Sequence, residues 1–212
     1  GISVGPDGAT HQALEDIATM RVMANMQVWV PCDAIEAKKA TIAAAKIWGP
    51  IYLRFAREKS PVMTTDLTPY APGKAEILWS PSKSSGRLKP QAVLIGCGSL
   101  LYNALLAARE LEKEKIQVIV LNSHTVKPLD EQKIIALAKK TGAVVTVEEH
   151  QISGGLGGAI AELLARRAPT PIEFVGMQNM FGESGSPKEL IKKYNMDVKD
   201  IIHAVKKVIR RK

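Results

Sequence analysis

The apolar positions of this chain change their spacing several times, and each change predicts an element. Over residues 11–24, Leu14, Ile17 and Ala18 fall on one face of a helix, with Thr10 as its N-cap. Gln27–Val30 reads as a short strand that stops at Pro31. Asp33 and Glu36 then form an Asp-x-x-Glu capping pair for an alanine-rich helix running to about Trp48, where Gly49-Pro50 ends it. Ile51–Ala56 is a second strand. Helix, strand, helix, strand is the pattern of the closing part of an α/β domain.

Residues 59–90 lose this regularity. They hold Pro61, Pro69, Pro72, Pro81 and Pro90 together with the run Ser82-Lys83-Ser84-Ser85-Gly86, and they read as a linker across the surface with an edge strand within 73–79. From residue 91 a steady alternation begins. The strands expected are 92–96, 116–121, 143–147 and 171–175. Between them lie a helix with Leu101, Leu105 and Ala108 inward, a helix capped by Asp130 with Ile134, Ile135 and Ala138 inward, and a helix after Gly158. Two short helices close the chain, the last with Val198, Ile201, Ile202, Val205, Val208 and Ile209 as one stripe. Apolar strands that alternate with helices imply a mainly parallel sheet covered on both faces. The fold class expected is therefore α/β: a partial α/β domain, a linker with an edge strand over 59–90, and a complete three-layer α/β domain over 91–212.

Composition adds limits. The chain has 212 residues, is 46% hydrophobic and 24% charged, and contains no apolar run long enough for a membrane span. Its two cysteines, Cys32 and Cys97, make neither a disulfide framework nor a metal cluster, which fits a reducing cytoplasm. The formal net charge of +8 fits either an anionic partner or a solvated basic surface. The basic residues are scattered apart from the tail, and aromatic residues, 5% of the chain, do not interleave with them, so no stacking platform for nucleic acid is expected. A loop rich in functional groups lies at the very start, so a fragment of a larger enzyme is expected, and the first residue, Gly rather than Met, fits either a tag scar or cleavage within a longer polypeptide.

That loop, Gly5-Pro6-Asp7-Gly8-Ala9-Thr10-His11-Gln12, carries the first candidates. The imidazole of His11 can move protons near neutral pH or hydrogen-bond a substrate oxygen, or it is a surface histidine at a helix start. Asp7 can accept a hydrogen bond from a sugar hydroxyl, or it is a turn aspartate before Gly8. Arg57 follows a strand, where ligands of α/β sheets gather, and its fork suits a phosphate; the other reading is an ion pair with Glu58 or another acid. Gly154-Gly155-Leu156-Gly157-Gly158 can cradle a phosphate at a helix start or serve close helix–strand packing, but it is neither the dinucleotide fingerprint nor a Walker loop. Gly96-Cys97-Gly98-Ser99 reads the same way, and Cys97 has no base nearby in sequence. His150 follows Glu148-Glu149, an arrangement expected to favour its protonated form and an ionic role.

Several stretches together resemble transketolase, specifically the C-terminal half found as a separate subunit in some bacteria and archaea. They are Gly5–Gln12 with Ala13-Leu14-Glu15-Asp16, Val30-Pro31-Cys32-Asp33, Gly49–Arg57, Thr125–Asp130, Glu148-Glu149-His150 with Gly154–Gly157, and Phe181-Gly182-Glu183-Ser184-Gly185. They follow the family's order over nearly the whole chain. The resemblance implies that residues 1–66 end a pyrimidine-binding domain and that 91–212 form the family's C-terminal domain. Deoxyxylulose phosphate synthase and the β subunits of 2-oxo acid dehydrogenases share this layout, but the Phe181–Gly185 stretch resembles transketolase. A dimerisation or scaffold module without catalytic duty is the reading from outside the enzymes.

The implied chemistry is transfer of a two-carbon ketol unit between sugar phosphates, with thiamine diphosphate and Mg²⁺ or Ca²⁺ as cofactors. His11 would sit near the cofactor's aminopyrimidine and assist proton transfer, Asp7 would bond a donor-sugar hydroxyl, and Arg57 would bind the sugar phosphate. The implied partners are a diphosphate-binding N-terminal subunit and a second copy of the chain, with no nucleic acid and no membrane. Pro6 stands where the family commonly has an acid, Ala9 where it has proline, and Asn179-Met180 where Asp-Arg is usual. The family's activating glutamate and its diphosphate-and-metal domain lie upstream of the match, so this chain alone is expected to be inactive.

Overall fold

The computed structural model describes residues 1–81 and 89–212; the serine-rich run expected within the linker lies outside the described residues. A 3-10 turn, Ile2–Asp7, leads into α1 (Ala9–Gln12), α2 (Asp16–Val22), β1 (Gln27–Trp29), α3 (Ala34–Ala44) and β2 (Ile51–Leu53). Then follow β3 (Glu76–Trp79), β4 (Ala92–Gly96), α4 (Leu101–Lys113), β5 (Val118–Asn122), β6 (Thr125–Lys127), α5 (Glu131–Thr141) and β7 (Val144–Gln151). The chain closes with α6 (Leu156–Arg167), β8 (Ile172–Met177), α7 (Pro187–Lys193) and α8 (Val198–Ile209).

The main sheet runs β3-β5-β4-β7-β8. Its β4–β5, β4–β7 and β7–β8 pairs are parallel, and β3 adds antiparallel at the edge. Every residue of β4 and β5 is buried because both faces are covered. Ala92 and Leu94 pack with α4 and α8 residues such as Leu101, Leu111, Ile201 and Val205, while Val93 and Ile95 pack with α5 and α6 residues such as Ile134, Leu156 and Ile160. The sheet thus separates two apolar layers, giving the three-layer α/β arrangement with a mainly parallel sheet expected from the alternation. The stripe on α8 is core: Ile201, Val205 and Val208 are fully buried.

Three local expectations change. The helix expected over 11–24 is two helices, because Ala13 adopts a left-handed conformation (φ 44°) between α1 and α2; Thr10 lies inside α1 and caps neither. β6 was not anticipated. It lies in the second half of the sequence but pairs antiparallel with β1, completing a small β2-β1-β6 sheet, so the two halves share backbone hydrogen bonds. Finally, the start of the proline-rich stretch is tethered. Lys39 donates its ammonium to the carbonyls of Thr65, Asp66 and Thr68, and the Ala75 N–H donates to the Asp130 carboxylate at 3.1 Å.

Asp33 is the main anchor of that stretch. As the N-cap of α3 it accepts the Glu36 N–H at 2.8 Å, and it also accepts the Met63 and Thr64 N–H groups at 2.6 Å and the Thr64 hydroxyl at 2.8 Å. Burial pushes its pKa up, but the donors of Glu36, Thr64 and Met63 outweigh this and hold the carboxyl below its usual range. The native carboxylate is then favoured over the unfolded one above about pH 4, and that advantage is lost as pH falls through the depressed native pKa. Asp33→Ala should lower the unfolding free energy by roughly 2–4 kcal/mol at pH 7 and by less in acid, as urea titrations at the two pH values would measure.

Candidate active site

A cleft of about 400 Å³ opens where β1 and β2 end against the turn between β4 and α4. His11, at the end of α1, lines it with its ring exposed and its Nδ1 2.9 Å from the Thr10 hydroxyl. Arg57 lines it from the segment after β2 and forms an ion pair with Asp7, which ends the 3-10 turn. The three candidates from the sequence are therefore neighbours: two on the wall, the third joined to one of them. The acid that meets Arg57 is Asp7, not the adjacent Glu58.

The floor holds residues to which the sequence assigned no role of their own. Arg54 donates through Nε to Asp16 at 2.7 Å, and through Nη2 to the carbonyls of Ala13 at 2.9 Å and Glu149 at 3.0 Å. The Tyr52 hydroxyl donates to the same Asp16 oxygen at 2.8 Å. Burial raises the Asp16 pKa, but Arg54 and Tyr52 outweigh it and keep the carboxylate below its usual range. Glu149 accepts the Ser99 hydroxyl at 2.7 Å and the Ser3 N–H at 3.0 Å; these donors overcome burial and hold it ionised. Arg54 and Arg57 lie three residues apart on one strand exit, so one side chain points in and the other out. Only the inward partners, brought from distant parts of the chain, separate the structural arginine from the accessible one.

The glycine-rich turn before α6 is occupied from within the chain, by the carboxyl group of Glu148. The Leu156 and Gly157 N–H groups donate to the Glu148 carboxylate at 2.7 and 2.8 Å. A Cβ on Gly157 would collide with Phe174 and Thr146, so close packing explains that glycine. Burial dominates the Glu148 carboxyl and pushes it up to about 7 despite the two amides. His150 departs from the ionic role expected of it. It is fully buried, its Nε2 accepts the Ala18 N–H at 3.3 Å, and its Nδ1 lies 2.7 Å from the Gln151 carbonyl, so the neutral Nδ1–H form satisfies both contacts. Burial accordingly lowers its pKa. Cys97 is buried with its thiol pushed well up, which leaves no nucleophile there.

These contacts have a common location. β4 is flanked by β5 on one side and β7 on the other, so the carboxyl ends of β4 and β7 border the crevice where open α/β sheets take ligands. Here the chain's own beginning fills it. The Gln151 N–H donates to the Leu14 carbonyl at 2.9 Å, His150 receives Ala18, and Glu149 receives Ser3. The Gln12 amide donates to the Glu183 carbonyl at 2.8 Å, and Gly182 leaves no room for a Cβ against that amide. Asp7 and His11 are braced from both sides by the second domain.

A family model for the transketolase C-terminal domain matches residues 85–201, and one for the transketolase pyrimidine-binding domain matches residues 1–62. The chain belongs to the transketolase family. It is 36% identical over its whole length to a 6-deoxy-6-sulfo-D-fructose transketolase subunit of Clostridium sp. (strain MSTE9), of which it spans 63%. It is 33% identical over 99% of its length to human transketolase, of which it spans 33%. Among solved structures it is similar to a split-gene transketolase in an inactive beta4 tetramer, with TM-score 0.88 and 38% identity over 96% of this chain and 64% of that one. The chain thus spans under two thirds of these relatives, and it corresponds to a C-terminal section of a transketolase.

The α6 turn gives the fold a pH dependence through Glu148. Its native pKa of about 7 lies above the unfolded value of 4.5, so the native state gains from the neutral acid below about pH 4.5 and loses that gain as pH rises towards 7. Glu148→Gln should flatten stability between these values, removing a slope worth on the order of 3 kcal/mol, as denaturation series from pH 4.5 to 8 would reveal.

Proposed function

We propose that this chain is the C-terminal portion of a thiamine diphosphate-dependent transketolase and that, in a complete assembly, it carries the substrate side of a site transferring a two-carbon ketol unit between sugar phosphates. The observation that supports this most is the meeting of Asp7, His11 and Arg57 at one cleft in a chain of this family. The division proposed is residues 1–66 as the end of the pyrimidine-binding domain, 67–90 as the connection and 91–212 as the C-terminal domain. Its two free cysteines, both buried, fit a cytoplasmic setting.

His11 would hold or move a proton at the substrate oxygens and border the cofactor ring; its exposed ring is free to do so. Arg57 would clamp the terminal anion of the sugar. Its guanidinium has five N–H donors, so Asp7 and an incoming anion can share it, and the Asp7 carboxylate then stands beside the sugar hydroxyls. The relative named for a sulfonated fructose makes sulfonate a second anion to try, since the same fork fits its oxygens. Thiamine diphosphate, when bound, supplies the nucleophile and electron sink that break the carbon–carbon bond. The residues of this chain do not fit its diphosphate and metal. Among the described residues no three His, Cys, Asp or Glu side chains gather for a metal, and the paired amides of the α6 turn already hold Glu148. The partners proposed are accordingly a diphosphate-binding subunit and a second copy of this chain, and the chain alone is inactive.

In the complete assembly, His11→Ala should lower kcat roughly 10²–10⁴-fold. Arg57→Ala should raise KM for the anionic sugar roughly 10–100-fold with little change in kcat. Unchanged ketol transfer in both variants would leave the chain a structural module. Calorimetry of the chain alone with magnesium and thiamine diphosphate should show no tight binding; a tight isotherm would contradict the reading that the cofactor is held elsewhere.

A further inference from the structure

After β2 the chain runs as a strap between two anchors. Arg54 is tied into the floor of the cleft, and the Met63 and Thr64 N–H groups are held by Asp33 at 2.6 Å. From Phe55 to Val62, among the described residues, no main-chain hydrogen bond holds the chain, and the ion pair of Arg57 with Asp7 is its one polar tie. Hollows adjoin this strap. The active-site cleft shares Ser3, Ser99 and Glu149 with a small cavity of about 120 Å³. That cavity in turn shares Glu58, Lys59, Asn103 and Ile191 with a larger one of about 620 Å³, which is closed on another side by α7. A hollow of that size accommodates a small metabolite.

Its wall carries uncompensated positive charge. Lys59 comes from the strap, Lys188 and Lys192 from α7; all three are exposed and, among the described residues, stand in no ion pair. Other lysines are answered: Lys113 by Glu110, Lys193 by Glu183, Lys206 by Glu114 and Lys207 by Glu173. Lys188 and Lys192 are four apart on α7, where like charges repel. The acid between them, Glu189, is turned back to the Ser186 hydroxyl at 2.6 Å in a capping box. Asp197 on the wall caps α8 through the Val198 N–H at 2.7 Å. Three ammonium groups thus meet two carboxylates, Asp197 and Glu58, and the balance is positive. The Asn103 amide makes, among the described residues, one long contact, from Nδ2 to the Met196 carbonyl at 3.5 Å.

A phosphate ester fits this set. Ammonium groups act on its dianion as point charges, while Asn103 and Glu58 can bond the hydroxyls of its organic part. A strand or helix of another polypeptide needs an open face, whereas this hollow is walled by the strap, by Asn103 of α4 and by α7. We infer that the cavity is a second anion site, which takes the phosphate monoester of a small polyol between Lys59 and the α7 pair Lys188 and Lys192. The bound ester ties the strap to α7 and so steadies the segment that carries Arg57. Binding there is independent of ketol transfer, and its failure would leave the function proposed above untouched.

The test is lysine acetylation of the complete natural assembly, mapped by mass spectrometry, with glycerol 3-phosphate as the probe. Glycerol in sodium chloride of equal ionic strength is the blank, and Lys46, exposed and not on the cavity wall, is the reference. Saturating ester should slow acetylation of Lys59, Lys188 and Lys192 together at least about 5-fold and leave Lys46 unchanged. The double variant Lys188→Gln/Lys192→Gln should raise the ester concentration that half-protects Lys59 at least about 10-fold. An ester that protects none of the three, or that slows Lys46 equally, overturns the inference. Protection of Lys59 without the α7 pair places the ester at Arg57 and overturns it too. So does low reactivity of all three lysines before any ester is added, because another segment of the assembly then fills the cavity.

Discussion

Arg54 joins three parts of the chain in one buried contact: the carboxylate that opens α2, the carbonyl of left-handed Ala13, and the carbonyl of Glu149 in β7. Its guanidinium has little water around it, so its charge has to be answered inside the protein. Asp16 and Glu149 do so strongly enough to hold it protonated against burial. A buried pair of this kind contributes little net stability over an apolar substitute, but losing one partner leaves an uncompensated charge. Its effect is to permit one arrangement of the first domain against the second. The path of residues 1–18, the break between α1 and α2, and the outward aim of Arg57 all agree with that arrangement.

The second domain is built like a ligand-binding α/β sheet but uses its crevice differently. The strand ends that would face a small molecule face Ser3, Leu14 and Ala18 instead, and the α6 amides that would face a phosphate face Glu148. Its effect on the first domain is therefore positional. The loop bearing Asp7 and His11 contains two glycines at positive φ and two short helical turns, which have little stability of their own. Packing against β7 and the Glu183 loop supplies what the local sequence lacks.

Much of this was legible in the residues. The strands of the main sheet were visible as apolar runs because both faces are covered, and the caps at Asp33 and Asp130 because side chain and amide are three residues apart. His11, Asp7 and Arg57 were singled out through the resemblance to transketolase, since their residue types alone did not favour a site over a bland role; the fold brings them together at one cleft. What escaped was governed by distant partners. The helix break at Ala13 has no local signal, because alanine favours helix; the Arg54 and Gln151 contacts hold the chain there in another path. β6 is three residues long, and its partner β1 lies about a hundred positions away.

His150 and the glycine-rich turn show the same division. Sequence neighbours place two carboxylates before the imidazole, and solvent would make that histidine more basic; burial reverses the sign, because a neutral ring costs less to desolvate than a charged one. The amides of Leu156 and Gly157 are an anion site in sequence and in space, but only the fold brings Glu148 of the preceding strand into it. Periodicity, caps and family likeness, which depend on residues near one another or on order along the chain, were determined by the sequence itself. Which of two arginines is accessible, that His150 is held neutral and which crevice is full depend on desolvation and long-range pairing, and those exist only once the chain has closed on itself.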